Sequence, residues 1–290
     1  MNYLTVHGGG PTAVINGSLY GVIKELQSNQ QVEHIYGALG GMEAIYTENY
    51  VDFNQVSATE IEHLLDTPGS AIGTSRYPLE DEDYEKLANI LHEQNINGVF
   101  LNGGNGTMNT CGKLLAACAK YDISVIGIPK TMDNDIAVID HSPGFGSAAN
   151  YIANTVAEIA MDVQSLPIHV CIVETMGRNA GWLAGASALA KSDNNPGPDL
   201  IYTSERPFST EKFLEDVEKA WAQKKGVVVV VSEGLVDEKG EPIVPPIFET
   251  GRSVYYGDVG AYLVETIIII LIKKNRHYKS TCGKLNRSPF

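Results

Sequence analysis

Residues 129–135 read "PKTMDND", between an apolar run and a glycine-punctuated stretch. Lys130, Thr131, Asp133 and Asp135 crowd into that one segment. A carboxylate can take a proton from an alcohol, and a second can help to hold a hard cation. A hydroxyl and an ammonium can donate to phosphoryl oxygens. Two carboxylates two residues apart on an extended segment point the same way, so they can share one ion through water, or one can act as base while the other orients the ion. Phosphoryl transfer to an alcohol needs these parts, together with backbone donors that cradle the donor phosphates. On this reading Asp133 accepts the hydroxyl proton, Asp135 helps to hold Mg²⁺, and Thr131 and Lys130 donate to phosphoryl oxygens. Mg²⁺ keeps most of its water and phosphate ligands, so one or two protein carboxylates suit it.

Other short segments offer matching parts. "GGGPT" at 8–12 presents backbone N–H groups ahead of a predicted helix, which suits an anion. "GTSRY" sets Arg76 and Tyr77 in a loop. "NGGNGTMN" at 102–109 is a second glycine turn, with Asn105 and Thr107 as metal or phosphate contacts. "ETMGRNAG" puts Gly177 and Arg178 at a predicted helix start, and "SEG" puts Glu233 at a strand end where it can accept sugar hydroxyls.

The elements that must position these loops follow from the apolar pattern. "YLTVH", "VEHIYGA", "INGVFLN", "ISVIGI", "PIHVCIVET" and "GVVVVVS" are short aliphatic runs without polar alternation, the mark of strands covered on both faces. Helical periodicity follows most of the loops, as in "SAANYIANTVAEIAMDV". Strand, loop and helix in succession predict parallel units in an α/β fold: two doubly wound parallel-sheet lobes with the active site between them. Ligands in such folds sit at the carboxyl ends of the strands, where all these loops fall. A boundary is expected near 137–145.

Composition limits the partners. The 290 residues are 43% hydrophobic and 19% charged, an ordinary globular composition. A net charge of -14 argues against nucleic acid or an anionic membrane as main partner. Cys111, Cys118, Cys171 and Cys282 are scattered, which fits buried thiols in a reducing cytoplasm. No signal-peptide pattern opens the chain. "TIIIILI" at 266–272 is too short to span a bilayer and reads as the core face of a strand or helix.

The segments "GGPTAVIN", "GTSRY", "GGNGT", "GIPKTMDNDI", "DHSPGFGSAANYIA", "VETMGRNAGWLAGASALA" and "SEG", in order and spacing, resemble the phosphofructokinase family over roughly residues 1–235. The resemblance implies transfer to the 1-hydroxyl of fructose 6-phosphate, with Asp133 as base, Thr131 as a sugar and phosphoryl contact, and Asp135 beside Mg²⁺. It implies sugar-phosphate contacts at Met176, Gly177, Arg178 and Glu233. Gly10, Arg76, Tyr77, Gly104, Asn105, Gly106 and Thr107 fall on the donor side. It further implies a donor lobe at 1–140, a fructose 6-phosphate lobe at 141–290, and a cytoplasmic homo-oligomer, dimer or tetramer.

The resemblance leaves the donor between ATP and pyrophosphate. Many pyrophosphate users carry an aspartate where this chain has Gly106, and the glycine leaves room for ATP. Lys130 is typical of pyrophosphate users. The steric argument tips the reading slightly to ATP. Asn105 stands where ATP users have a metal-associated aspartate. Lys284 and Arg287 in "GKLNRSPF" are the candidates for the 6-phosphate, with Tyr278 and Lys279 where a further arginine is usual. His169 sits where relatives carry a basic residue that reaches a neighbouring subunit's substrate. Relatives continue for tens of residues past the position of Phe290, so a C-terminal truncation is expected. A non-catalytic sugar-phosphate sensor is the alternative of another class; an intact Asp133 and Thr131 argue against it. Lipid and nicotinamide-nucleotide kinases share a GGxGT loop but lack the later motifs, and no GxGxxG follows the first strand as a dinucleotide oxidoreductase would require.

Overall fold

The computed structural model describes residues 1–250, 253–273 and 279–285, with backbone alone for 248–250, 253–255, 270–273 and 279–285. Packing divides the chain into two compact units, Met1–Thr131 and a second that starts at Met132. The division falls inside "PKTMDND", ahead of the expected 140/141.

The first unit runs β1 (Asn2–Gly8), α1 (Val14–Gln27), β2 (His34–Ala38), α2 (Ala44–Thr47), β3 (Tyr50–Asp52), α3 (Ala58–Glu62), α4 (Asp81–Glu93), β4 (Ile96–Gly103), α5 (Asn105–Cys118) and β5 (Ser124–Pro129). The strands order as β3-β2-β1-β4-β5. All neighbours are parallel except β3, which pairs antiparallel with β2. β1 buries Leu4 and Val6 against α4 and α5 on one face, while α1 covers the other with Leu19 and Ile23. Both faces are therefore sealed, which is why the strands carry no polar alternation. The strand order reverses between β1 and β4, the switch point at which such sheets open a crevice.

The second unit runs α6 (Phe145–Ser165), β6 (His169–Thr175), α7 (Trp182–Ala186), β7 (Leu200–Tyr202), α8 (Thr210–Lys224), β8 (Val227–Ser232), β9 (Phe248–Thr250), β10 (Ser253–Tyr255), α9 (Val259–Lys273) and β11 (Lys279–Leu285). A parallel sheet orders as β11-β6-β8-β7, and β9 and β10 form a separate antiparallel pair. β8 shows the double winding residue by residue. Val228 and Val230 pack with α6 and α7, whereas Val227, Val229 and Val231 pack with α8 and α9. The run "TIIIILI" lies within α9, where Leu263 and Ile267 are buried and Ile268 and Ile269 face outward. No helix among the described residues is long and apolar enough to cross a membrane.

Candidate active site

In the first unit the residues expected on the donor side lie in loops at the carboxyl ends of β1, β4 and β5. The Gly9 N–H donates to the Ser75 carbonyl at 3.1 Å, and the Thr74 hydroxyl donates to the Gly9 carbonyl at 2.9 Å. The loop that carries Gly10 is thus tied directly to the segment that carries Arg76. Arg76 is exposed and makes no ion pair with any described residue; Tyr77 packs tilted against Tyr46 at 6.1 Å. Gly104 caps α5, so Asn105, Gly106 and Thr107 form its first turn and their N–H groups have no partner within the helix. That end suits an anion. Asn105 and Gly106 are exposed, and a Cβ at Gly106 would enter open space. Thr107 does something the sequence did not announce. Its side chain fills the space over Gly8 and Gly103, where a Cβ on either would collide with it. Lys130 is buried; its backbone N–H donates to Gly103 at 2.9 Å and its ammonium donates to the Gly10 carbonyl. Burial, and next the Lys130 charge, push His7 down to about 4.

In the second unit Asp133 and Asp135 do not lie on an extended segment. Asn134 between them is left-handed, with φ 59°, and buried. Its amide donates to the Asp140 carbonyl at 3.1 Å and its oxygen accepts the Ser142 N–H at 2.8 Å. The chain therefore turns at Asn134, and period-two alternation does not govern the two carboxylates. Asp133 has 13% of its side chain exposed and Asp135 is exposed. The Arg178 Nε is 3.7 Å from Asp133 Oδ2, beyond hydrogen-bond length, and Arg178 is half exposed.

Arg178 is itself held firmly at the backbone. Its φ is 53° and that of Gly177 is 138°, both in the left-handed region. Glu233 Oε1 accepts both their N–H groups, at 3.1 Å from Gly177 and 2.9 Å from Arg178. Gly234 lets the Arg178 carbonyl approach where any Cβ would collide. The predicted helix start at Gly177 and Arg178 needs correction. α7 begins only at Trp182, and Glu205 takes the Gly181 N–H at 2.6 Å. Those amides serve carboxylates and so are not a vacant anion cradle. Burial raises the Glu205 carboxyl, but its hydrogen bonds from Gly181 and Thr203 outweigh that and leave it lowered.

Met176 packs on the core beneath α6 and α7. His169 opens β6, at the end of the strand opposite Thr175, so it stands apart from Met176 and Arg178 within this unit. Lys284 is the register partner of Glu174 and so lies on β11 near the carboxyl end of the sheet. Arg287 lies outside the described residues. No group of three or more metal-ligating His, Cys, Asp or Glu occurs among the described residues. Asp135 and Asn105 nonetheless supply exposed hard oxygens, the donor type that suits Mg²⁺ held mainly by water and phosphate.

Two doubly wound sheets with glycine-rich, hydroxyl-bearing and cationic loops at their carboxyl ends define an α/β protein of the class that holds phosphorylated ligands. A phosphofructokinase family profile matches residues 2–282. The chain belongs to the phosphofructokinase family. It is 36% identical to a pyrophosphate–fructose 6-phosphate 1-phosphotransferase of Rhodospirillum rubrum, over 98% of this chain and 72% of that one. It is 41% identical to a sulfofructose kinase of Alkalicoccus urumqiensis, over 78% of this chain and 59% of that one. The structure of a pyrophosphate-dependent phosphofructokinase from Nitrosospira multiformis superposes with a TM-score of 0.82 at 32% identity, covering 98% of this chain and 69% of that one. This chain thus spans about three fifths to seven tenths of the lengths of these relatives.

Proposed function

We propose that the protein transfers a phosphoryl group to the 1-hydroxyl of fructose 6-phosphate, with ATP as donor. The observation that carries the reading is the cluster of Asp133 with Arg178 and Glu233, the last two just past the adjoining ends of β6 and β8. Asp133 accepts the proton of the attacking hydroxyl. Arg178, fixed at its backbone by Glu233, balances negative charge beside it. The second oxygen of Glu233 remains to accept a sugar hydroxyl, and Met176 and Gly177 line the same loop. Thr131 and Lys130 donate to the moving phosphoryl group. The first turn of α5, Gly10, Arg76 and Tyr77 take the donor phosphates. Asp135 and Asn105 are the residues that would hold Mg²⁺, which would supply charge to the phosphoryl oxygens. Lys284 and Arg287 hold the 6-phosphate, and His169 serves a neighbouring subunit in a cytoplasmic homo-oligomer.

ATP is favoured by the open space at Gly106. The names of relatives in Rhodospirillum and Nitrosospira support a second reading, in which pyrophosphate is the donor. The test is an assay of purified protein with Mg²⁺ and fructose 6-phosphate, run separately with ATP and with pyrophosphate. A parallel arm uses sulfofructose, in view of the Alkalicoccus relative. Product with ATP at least tenfold faster than with pyrophosphate supports the first reading. The reverse ratio replaces it with the second, and turnover confined to sulfofructose overturns the acceptor.

A further inference from the structure

The segment that carries Arg76 is anchored from beneath by two wholly buried polar side chains. Asn16, on α1, donates from Nδ2 to the Thr67 carbonyl at 2.7 Å and to the Gly69 carbonyl at 3.2 Å. Its Oδ1 accepts the Ala71 N–H at 2.8 Å. An Asn so placed satisfies three backbone groups of a turn that has no strand or helix to pair with. His7, on β1, reaches the same segment through Ser70. The Ser70 hydroxyl donates to the Gly73 carbonyl at 2.6 Å, so its oxygen accepts from His7 Nδ1–H at 2.8 Å. Both His7 and Asn16 have no exposed surface. From Thr67 to Gly73 these two side chains supply the segment's polar anchors, beside the burial of Ile72 and its carbonyl's bond from the Gly40 N–H at 2.8 Å, and Arg76 lies three residues beyond.

We infer that His7, through Ser70, and Asn16 are positioning residues that set where Arg76 stands beside the glycine loop of β1, and so set affinity for the phosphoryl donor. The inference rests on the donor-side assignment of Arg76 in the proposed function. Thr74 and Ser75 tie the backbone just before Arg76 to Gly9, and the turn from Thr67 to Gly73 sets where that backbone stands. A guanidinium that wanders by an ångström or so loses most of a directional contact to a phosphate oxygen. All three groups lie in the first unit.

The test is a set of Michaelis constants for donor and for acceptor. Ser70→Ala removes one hydroxyl and adds no bulk, so it leaves the fold intact even if His7→Ala does not. It is expected to raise the donor KM about tenfold, the loss of one buried hydrogen bond, while the acceptor KM stays within twofold. Asn16→Ala is expected to do more, and thermal unfolding reports its structural cost separately. In an Arg76→Ala background, Ser70→Ala is expected to have no further effect on donor KM, because the group it positions is gone. A merely structural role would move both Michaelis constants together, or would add its effect to that of Arg76→Ala. Either outcome overturns the proposal and leaves the proposed function standing. If Arg76→Ala by itself leaves the donor KM unchanged, the donor-side assignment fails, and the proposal fails with it.

Discussion

On the proposed function Asp133 is the base that takes the hydroxyl proton, and the Arg178 guanidinium stands 3.7 Å from its carboxylate. Asp133→Asn keeps shape and loses the proton acceptor. Turnover is expected to drop by about a thousandfold or more, with acceptor affinity nearly unchanged; equal losses in both would indicate a binding residue. In the proposed function donor choice turns on Gly106. Because a side chain there enters open space at the first turn of α5, Gly106→Asp should fold normally. It should weaken ATP use more than pyrophosphate use; equal effects on both would remove the gating argument. His7 gives a pH prediction. Its folded value of about 4 lies below the ordinary 6.5, so the unfolded chain binds the proton more readily. Its contribution is complete above about pH 6.5 and is lost as pH falls towards 4, by roughly 3 kcal/mol. Denaturant melts across that range should show a shallower fall in His7→Asn than in the natural chain, and parallel curves would exclude His7 as the cause.

At the scale of elements, the paired ends of β1 and β4 are covered by one side chain, that of Thr107. A Cβ at Gly8 would lie 2.5 Å from Thr107 Oγ1, and one at Gly103 would lie 2.5 Å from the Gly8 carbonyl. Gly8→Ala should therefore destabilise by about 2 kcal/mol, the range of overpacking, and Thr107→Ala should recover part of that loss. Thr107→Ala should not rescue Gly103→Ala, because the backbone carbonyl remains; thermal melts of the four variants decide it. The strands that carry site residues were readable because both faces are buried, so β1, β4, β5, β6 and β8 appear as unbroken aliphatic runs. The antiparallel β3 and the short β7, each of three residues, give too little sequence for any period to show. The long helices α4 and α8 were also not singled out, since their apolar stripes are sparse among charges. Which loops would carry phosphate contacts was legible from glycine, hydroxyl and charge types. What held them was not. Asn134, Asn16 and Ser70 act through backbone groups that are distant in sequence or turned by a positive φ, and residue type alone does not reveal such partners. The clearest failure, the supposed anion cradle at Gly177 and Arg178, has the same origin. Glu233 and Glu205 reach those loops from 24 or more residues away.

At the scale of the molecule, an acidic chain of net charge -14 handles anionic substrates by local cations and not by its overall field. Lys130 in the first unit and Arg178 in the second are two such points. The family assignment covers residues 2–282, whereas the activity depends on what this chain itself can do. The most direct measurement follows fructose 1,6-bisphosphate formation from fructose 6-phosphate, Mg²⁺ and ATP by the purified protein and by Asp133→Asn, with fructose 6-phosphate binding measured alongside. The account predicts product from the natural chain, and a variant that binds the sugar phosphate as well but turns over at least a thousandfold more slowly. A variant that turns over at the natural rate would contradict it.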